Sequence, residues 1–231
     1  MQDFSLVIQQ PADPAAQLIL LCHAAGGDAA SLLPLGVRLS EAFPLAMIVS
    51  LQAGRTSANP MGYEWFALAD VTEQNRAQRV AQALPALHAA VRGWQARSGV
   101  AAAATALIGL SQGAEMVLEA SKSHPMVASR VVAMGGRFTT LPDTAPAVTT
   151  IHFLHGKLDA LVPYSHSVTG AHHLRDMGCD ITAEVVPFIG HALHPDLIEL
   201  TITKLTTHIA HHLWTAAQQA AALNTDSNAA V

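Results

Sequence analysis

Cysteine is scarce in this chain. Only Cys22 and Cys179 occur among 231 residues, so at most one disulfide can form. Cys22 lies inside an apolar run of the kind that forms a buried strand, where a free thiol acts as a small hydrophobic side chain. The N-terminus carries no basic leader followed by an apolar segment, so we expect no secretory signal. These features together predict a cytoplasmic protein.

Charged residues and long apolar runs are also few. Charged residues make up 13% of the chain, with 12 Lys and Arg against 17 Asp and Glu, and the formal net charge is −5. No basic cluster is present that would bind nucleic acid or anchor the chain to a membrane. The longest apolar run, residues 17–25, is about half of the roughly 18–20 residues that a membrane-spanning helix requires.

Hydrophobic residues, by contrast, reach 51%, which is enough for a sizeable buried core in one domain. Short apolar runs alternate with longer segments of helical periodicity from end to end. The predicted strands are residues 4–9, 17–22, 45–51, 104–110, 130–134, 149–154 and 181–188. The predicted helices are residues 29–39, 73–97, 112–123, 165–177 and 195–218.

This alternation of strands and helices, with short connections, predicts a mostly parallel sheet that is covered by helices on both faces. The composition does not change along the chain, so we expect a single domain over residues 1–219, without a large cap domain. Residues 220–231 are rich in Ala, Asn and Ser and are expected to form a frayed tail. In such a sheet the reactive groups lie at the carboxyl ends of the strands.

The segment Gly109-Leu110-Ser111-Gln112-Gly113 has the pattern G-x-S-x-G and lies between a predicted buried strand and a predicted helix. In that context the pattern is typical of a sharp turn that lifts a serine hydroxyl clear of the backbone, since a side chain at either glycine would collide with the neighbouring strand or helix. The helix N-terminus there favours developing negative charge. Ser111 is therefore the candidate nucleophile. The alternative is a structural turn in which the serine caps the helix.

A serine nucleophile needs a histidine base, and the base needs an acid that orients it. In a parallel sheet that carries such a serine turn, the acid follows the serine along the chain and the histidine follows the acid. Asp159 and His191 each lie just beyond a predicted strand, on loops at the sheet edge that carries Ser111. We take Asp159 as the acid and His191 as the base. Asp143 and His194 are the competing candidates for these two roles.

The glycine-rich loop after the strand 17–22 is the natural source of an oxyanion hole. The backbone N–H groups of Gln112 and Ala25 are the predicted donors to the oxyanion. A plain glycine-rich turn is the alternative for this loop. The sequence contains no G-x-G-x-x-G and no G-K-[ST] pattern that would bind phosphate, and we expect no cofactor.

At these residues the chain resembles the phospholipase/carboxylesterase family of α/β-hydrolases, and within it a branch of small bacterial cytoplasmic esterases related to acyl-protein thioesterases. The resemblance runs from about residue 17 to residue 213 and rests on the segments LLCHAAGGD, YEWF, ALIGLSQGAEM, HGKLDALVP and GHALHPD. It implies an α/β-hydrolase fold and a small-molecule ester or thioester substrate. Two positions depart from the family pattern: Ala24 follows His23 where glycine is usual, and Gly27 intervenes before Asp28.

The resemblance also implies that the loop holding Trp65 and Phe66 lines the acyl or leaving-group pocket. From the sequence alone, both aromatic side chains could equally anchor the following helix in the core. The two interpretations stay open at this point.

Thirteen histidines raise the question of a metal site. His208, His211 and His212 have the i, i+3, i+4 spacing of metal ligands on a helix, but no nearby cysteine or carboxylate completes a set. We therefore predict no metal. His152 and His155 are expected to pack near the sheet edge, where His155 supports the acid loop in a structural role.

The sequence thus predicts a serine carboxylesterase that works through an acyl-enzyme intermediate. An acyl thioesterase or lysophospholipase-type hydrolase would use the same residues. A non-catalytic ligand-binding protein on the same scaffold is the alternative from another class, because a fold does not fix a function. The natural substrate, its chain length and the formation of a homodimer are left open by the sequence.

Overall fold

The computed structural model describes residues 4–57, 62–146 and 148–210. Its strands, in chain order, are β1 (Leu6–Gln9), β2 (Gln17–Cys22), β3 (Ala46–Leu51), β4 (Arg55–Thr56), β5 (Tyr63–Glu64), β6 (Thr105–Leu110), β7 (Arg130–Met134), β8 (Thr150–Gly156) and β9 (Ile181–Val186). Seven of them form one sheet in the order β1-β3-β2-β6-β7-β8-β9. Among the described strands of this sheet, β1 alone is antiparallel to its neighbour. Strands β4 and β5 form a separate two-stranded ribbon.

The described residues form five α-helices, of which four lie between strands and the last follows β9. They are α1 (Leu33–Ala42), α2 (Glu73–Ser98), α3 (Gln112–Ala120), α4 (Ser165–Asp176) and α5 (Pro195–Thr207). Local sequence sets their ends: the Thr72 hydroxyl accepts a hydrogen bond from the Asn75 N–H at the start of α2, and Gly99 ends that helix in the left-handed conformation. The first turn of the predicted helix 29–39 is a short 3-10 helix, Ala29–Leu32, which Asp28 caps.

Successive residues of the central strands point to opposite faces of the sheet, so each strand contributes to two cores. Helices α1 and α5 pack on one face, against side chains such as Ile19 and Ile108. Helices α2, α3 and α4 cover the other face, against side chains such as Leu20 and Phe153. Each fully buried Leu, Ile or Phe contributes about 1.5–3 kcal/mol. The prediction of a mostly parallel sheet with helices on both faces is confirmed.

Helix α5 is shorter than predicted. It ends at Thr207 and not at residue 218, because His208 adopts an extended backbone and its Nε2 lies 3.0 Å from Asp180 Oδ1. Helical periodicity does not reveal such a long-range pair. His211, His212 and the predicted tail 220–231 lie outside the described residues, and the domain boundary at residue 219 stays a prediction.

Strand β9 also ends early, at Val186 and not at residue 188. Phe188 has a φ of 65°, a left-handed conformation that a strand does not accommodate. The alternation of apolar side chains continues past the residue where the backbone turns. The end of this strand was therefore predicted two residues too late.

His152 gives the fold a defined sensitivity to acid. It is fully buried in β8, with Nδ1 2.8 Å from Thr182 Oγ1. Burial, and to a lesser extent the charges of His208 and Arg130, lowers the pKa of His152 from 6.5 to about 3. The native protein therefore keeps this imidazole neutral at pH values where the unfolded chain binds a proton.

Above pH 6.5 neither state binds this proton, and the free energy of unfolding does not depend on pH through His152. As the pH falls from 6.5 toward 3, the unfolded chain takes up the proton and the free energy of unfolding decreases by up to about 1.4 kcal/mol per pH unit. We expect His152→Leu to flatten this acid slope, because the unfolded chain then no longer takes up that proton. Urea unfolding of both proteins between pH 7 and pH 4 measures the slope. Parallel curves for the two proteins would show that His152 is not the group responsible.

Candidate active site

Ser111 lies on a tight turn between β6 and α3, with φ 55° and ψ −115°. This conformation costs a non-glycine residue about 1–3 kcal/mol. Hydrogen bonds hold it in place: the Ser111 N–H donates to the Met134 carbonyl over 2.8 Å, and the Glu115 N–H donates to the Ser111 carbonyl over 3.0 Å. The turn keeps the serine at the carboxyl end of the sheet.

The glycines on either side of Ser111 are required by space. A Cβ at Gly113 would lie 2.1 Å from the Cys22 carbonyl oxygen, and a Cβ at Gly109 would lie 2.3 Å from the Gly113 carbonyl. Both distances are far below a van der Waals contact. The steric reason that the sequence suggested for these two glycines is confirmed.

Three side chains meet at this turn. His191 Nε2 lies 2.7 Å from Ser111 Oγ, and His191 Nδ1 lies 2.6 Å from Asp159 Oδ2. The other carboxylate oxygen, Asp159 Oδ1, accepts the N–H groups of Leu161 over 3.0 Å and of Val162 over 2.8 Å. The structure thus joins hydroxyl, imidazole and carboxylate in one continuous line of contacts.

The charge state of this line follows from the surroundings of Asp159. Burial acts to raise the pKa of Asp159, but the hydrogen bonds from the Val162 N–H and His191 outweigh it and hold the pKa below its ordinary value. An ionised carboxylate can only accept, so His191 Nδ1 carries the hydrogen and Nε2 is free to accept from the Ser111 hydroxyl. Such an arrangement can draw a proton from serine as its oxygen attacks a carbonyl.

The competing candidates lie outside this line of contacts. His194 caps α5, with Nδ1 accepting the Asp196 N–H over 3.2 Å, which is the capping role that the sequence allowed. Asp143 is exposed on the loop after β7, and it is Asp159 that contacts His191.

The loop predicted to supply an oxyanion donor adjoins the start of α3. The atoms that crowd Gly113 are the carbonyls of Cys22 and His23, so the end of β2 packs directly on this turn. Within the described part of the chain, no hydrogen bond takes up the backbone N–H of Ala25 or of Gln112. Both predicted donors therefore have N–H groups to offer to a ligand.

The buried side chain of His23 connects the loop of Ala25 to the loop after β3. It is fully buried, and its Nε2 accepts the Ala53 N–H over 3.2 Å. The hydrogen must then be on Nδ1, which donates to the Ala24 carbonyl over 2.7 Å. Burial lowers the pKa of His23, so the ring is neutral at pH 7. A histidine directly after an apolar strand was the available sequence signal for this role.

The side chain of Gln112 has a role that sequence reasoning missed. Its Oε1 accepts the Trp65 N–H over 2.7 Å, and its Nε2 donates to the Phe66 carbonyl over 2.7 Å. The indole N–H of Trp65 donates to the His23 carbonyl over 2.8 Å. The aromatic loop is thereby fastened to the residue after Ser111 and to the loop of Ala25.

The two aromatic residues of this loop differ in environment. Phe66 is 2% exposed and belongs to the core under α2 and α3, so its prediction as a pocket residue is wrong: such a side chain presents almost no surface to a ligand. Trp65 is half-buried beside His23, with ring centroids 5.4 Å apart. The core interpretation holds for Phe66, and Trp65 remains a candidate for contact with a ligand.

A separate surface cavity of about 440 Å³ lies at the opposite edge of the sheet, lined by residues such as Gln17, Thr105 and Arg130. These residues stand at the amino ends of β2, β6 and β7. Chemistry in parallel sheets belongs to the carboxyl ends, so this cavity is not the active site.

Across residues 4–57, 62–146 and 148–210, no group of three His, Cys, Asp or Glu side chains is arranged to hold a metal ion. In the same ranges, no helix has the length and apolar character needed to cross a bilayer.

A parallel sheet that carries serine, aspartate and histidine at its carboxyl edge, in that chain order, has the architecture of the α/β-hydrolases. The model of the family described as Phospholipase/Carboxylesterase matches residues 4–212, and the chain belongs to this family. It is 41% identical over 212 residues to Esterase YpfH of Escherichia coli (strain K12), covering 92% of this chain and 91% of that protein.

Solved structures agree. Esterase PE8 superposes with a TM-score of 0.79 at 28% identity, covering 89% of this chain and 98% of its own. The Bacillus cereus carboxylesterase shares the fold, with a TM-score of 0.73 at 16% identity over 87% of this chain and 92% of its own. The protein is therefore a hydrolase of the esterase class with an α/β-hydrolase fold, as the resemblance implied.

Proposed function

We propose that the protein is a serine esterase that hydrolyses small-molecule carboxylic esters, with Ser111 as nucleophile, His191 as base and Asp159 as orienting acid. The observation that carries this proposal is the line of contacts of 2.7 Å and 2.6 Å through the His191 ring. The names of the relatives, Esterase YpfH and esterase PE8, support ester hydrolysis. The intact line of contacts argues against a non-catalytic binding protein.

The reaction follows from these positions. His191 takes the Ser111 proton as the hydroxyl attacks the ester carbonyl, and the backbone N–H groups of Gln112 and Ala25 stabilise the oxyanion. His191 then protonates the departing alcohol, which leaves an acyl group on Ser111. A water molecule repeats both steps and releases the acid. Asp159 holds the reactive tautomer of His191 and stabilises its charged form.

The substrate surface and the compartment complete the proposal. Trp65 is half-buried and is hydrogen-bonded to the Gln112 side chain and to the His23 carbonyl, and it is the side chain that we propose for contact with the substrate. An acyl thioesterase or lysophospholipase would use the same residues, and the family description includes phospholipases. Cys22 and Cys179 are both free thiols, which supports a reducing compartment such as the cytoplasm.

Labelling with a fluorophosphonate tests the proposed nucleophile. We expect the native protein to gain the mass of one adduct, located on Ser111, because only a serine activated by a base reacts with the probe. Ser111→Ala should gain none. Ser40→Ala, which removes a hydroxyl on α1, should label like the wild type. An adduct of equal yield on Ser111→Ala would overturn the assignment.

A further inference from the structure

His155 is a second histidine beside the proposed acid. It is the penultimate residue of β8 and is fully buried. Its Nε2 lies 2.7 Å from the Val162 carbonyl oxygen and 3.2 Å from Asp159 Oδ2. Its Nδ1 lies 2.7 Å from Ser167 Oγ on α4. Both ring nitrogens are therefore engaged.

The position of the hydrogen on His155 follows from these partners. The carbonyl of Val162 can only accept, so Nε2 carries the hydrogen. Burial lowers the pKa of His155, so the ring is neutral and Nδ1 accepts from the Ser167 hydroxyl. The donating face of His155 is thus turned toward the loop that carries Asp159.

The Nε2–H of His155 closes the turn from Asp159 to Val162, which surrounds the Asp159 carboxylate. The Val162 N–H donates to Asp159 Oδ1 over 2.8 Å, while the Val162 carbonyl accepts from His155. The same His155 N–H also faces Asp159 Oδ2, the oxygen that contacts His191. His155 therefore fixes the loop through Val162 and limits the rotation of the carboxylate.

We propose that His155 is a positioning residue of the reaction, which holds the Asp159 carboxylate in the orientation that receives His191 Nδ1–H. The inference rests on the proposed function. A side chain that only filled space would leave the reactivity of His191 unchanged, whereas a positioning role makes that reactivity depend on the His155 N–H.

The consequence for catalysis is specific. Without the His155 donor, the carboxylate is free to turn away from His191, and a displacement of about 1 Å at a reacting group costs about 100-fold in rate. The loss should fall on kcat and leave KM unchanged, because His155 does not reach the open side of the site. With the carboxylate displaced, protonated His191 is less stabilised, so the acid limb of kcat/KM moves to lower pH.

The other titratable groups near His155 are few. Asp159 and His191 face it from their loops, and His166 faces it from α4. Arg137 lies behind His166, with Nη1 3.5 Å from His166 Nε2. A pH profile of variants at position 155 must be compared with a His166→Asn control, which should keep the wild-type acid limb.

Two amide substitutions of different length separate a positioning role from a packing role. The amide of His155→Gln can place an N–H near the position of Nε2, whereas the shorter His155→Asn reaches only the position of Nδ1. We expect His155→Asn to lose about 100-fold in kcat with an unchanged KM and a shifted acid limb, and His155→Gln to stay within about 5-fold of wild type. Steady-state kinetics on a soluble ester from pH 5 to pH 9 measures all of these.

His152→Leu is the matched control for stability. His152 lies on the same strand and is equally buried, but it contacts Thr182 and not the acid loop. We expect His152→Leu to keep the wild-type kcat and acid limb. Equal losses in the Gln and Asn variants at position 155, in proportion to their melting temperatures, would overturn the inference.

A readout without substrate distinguishes failure of this inference from failure of the proposed function. The His191 Nδ1–H that donates to Asp159 should give a strongly downfield proton signal by NMR in wild type and in His152→Leu. The signal should disappear in His155→Asn. Its persistence there would reject positioning by His155 whether or not the protein hydrolyses esters, while an inactive wild type that shows the signal would reject only the proposed function.

Discussion

Ser111→Ala and His191→Ala are each expected to lower kcat for ester hydrolysis by about 10⁴–10⁶-fold. In the proposed mechanism the hydroxyl forms the acyl bond, and the imidazole 2.7 Å away removes and returns its proton. We expect the residual rate to come from the proposed oxyanion donors and from substrate binding. Initial rates on a chromogenic ester, with the enzyme concentration raised for the variants, measure the loss.

The double variant provides a sharper check. Because the proposed mechanism uses serine and histidine as one unit, Ser111→Ala combined with His191→Ala should lose no more activity than either change alone. Asp159→Asn should cost somewhat less than either. His194→Ala is the control, since His194 caps α5, and it should keep wild-type kcat. Multiplicative losses in the double variant would mean that the two residues act in separate steps.

Gly113→Ala is expected to destabilise the fold by several kcal/mol, of the order of 3–5. The added methyl group would lie 2.1 Å from the Cys22 carbonyl oxygen. It would be attached to the backbone in the first turn of α3 and would meet the backbone at the end of β2, so neither side can yield by turning a side chain. Strand β2 and helix α3 must move apart, which also displaces the Ala25 loop from Ser111. Urea unfolding measures the loss, and the surviving folded fraction should have lowered kcat.

Gly93→Ala is the matched control for the Gly113 prediction. Gly93 lies in α2, where an added Cβ meets no atom within 4 Å. Alanine favours a helix interior over glycine by about 1 kcal/mol, so this variant should be more stable than wild type. A Gly113→Ala protein that unfolds at the wild-type urea concentration would show that the turn at Ser111 can relax around a side chain.

The fold was predictable because its signals are local. Apolar runs such as residues 17–22 and 104–110, continuous rather than alternating, indicate strands buried on both faces, and the structure forms β2 and β6 there to within one residue. The failures occurred at the ends of elements: α5 ends at Thr207, beyond which His208 contacts Asp180, and β9 ends at Val186, before Phe188. Both depend on backbone or side-chain relations that no window of periodicity contains.

The candidate site divides in the same way. The order of Ser111, Asp159 and His191, each just past a predicted strand, was enough to name them, because parallel strands bring their carboxyl ends to one edge. Whether Phe66 packs in the core or lines a pocket was not predictable, since an aromatic residue on a loop can turn toward a core or toward a ligand. The bridging side chain of Gln112 gave no pattern at all.

The sequence by itself determined the alternation of strands and helices, the turn at Ser111 with its two glycines and the three residues that carry the proposed chemistry. These depend on residue type, local spacing and the geometry common to parallel sheets. Tertiary structure alone decided that residues 80 and 32 positions apart close to 2.7 Å and 2.6 Å and that the donor of His155 faces Asp159. Such contacts depend on how distant segments pack against one another, and a one-dimensional pattern does not contain that information.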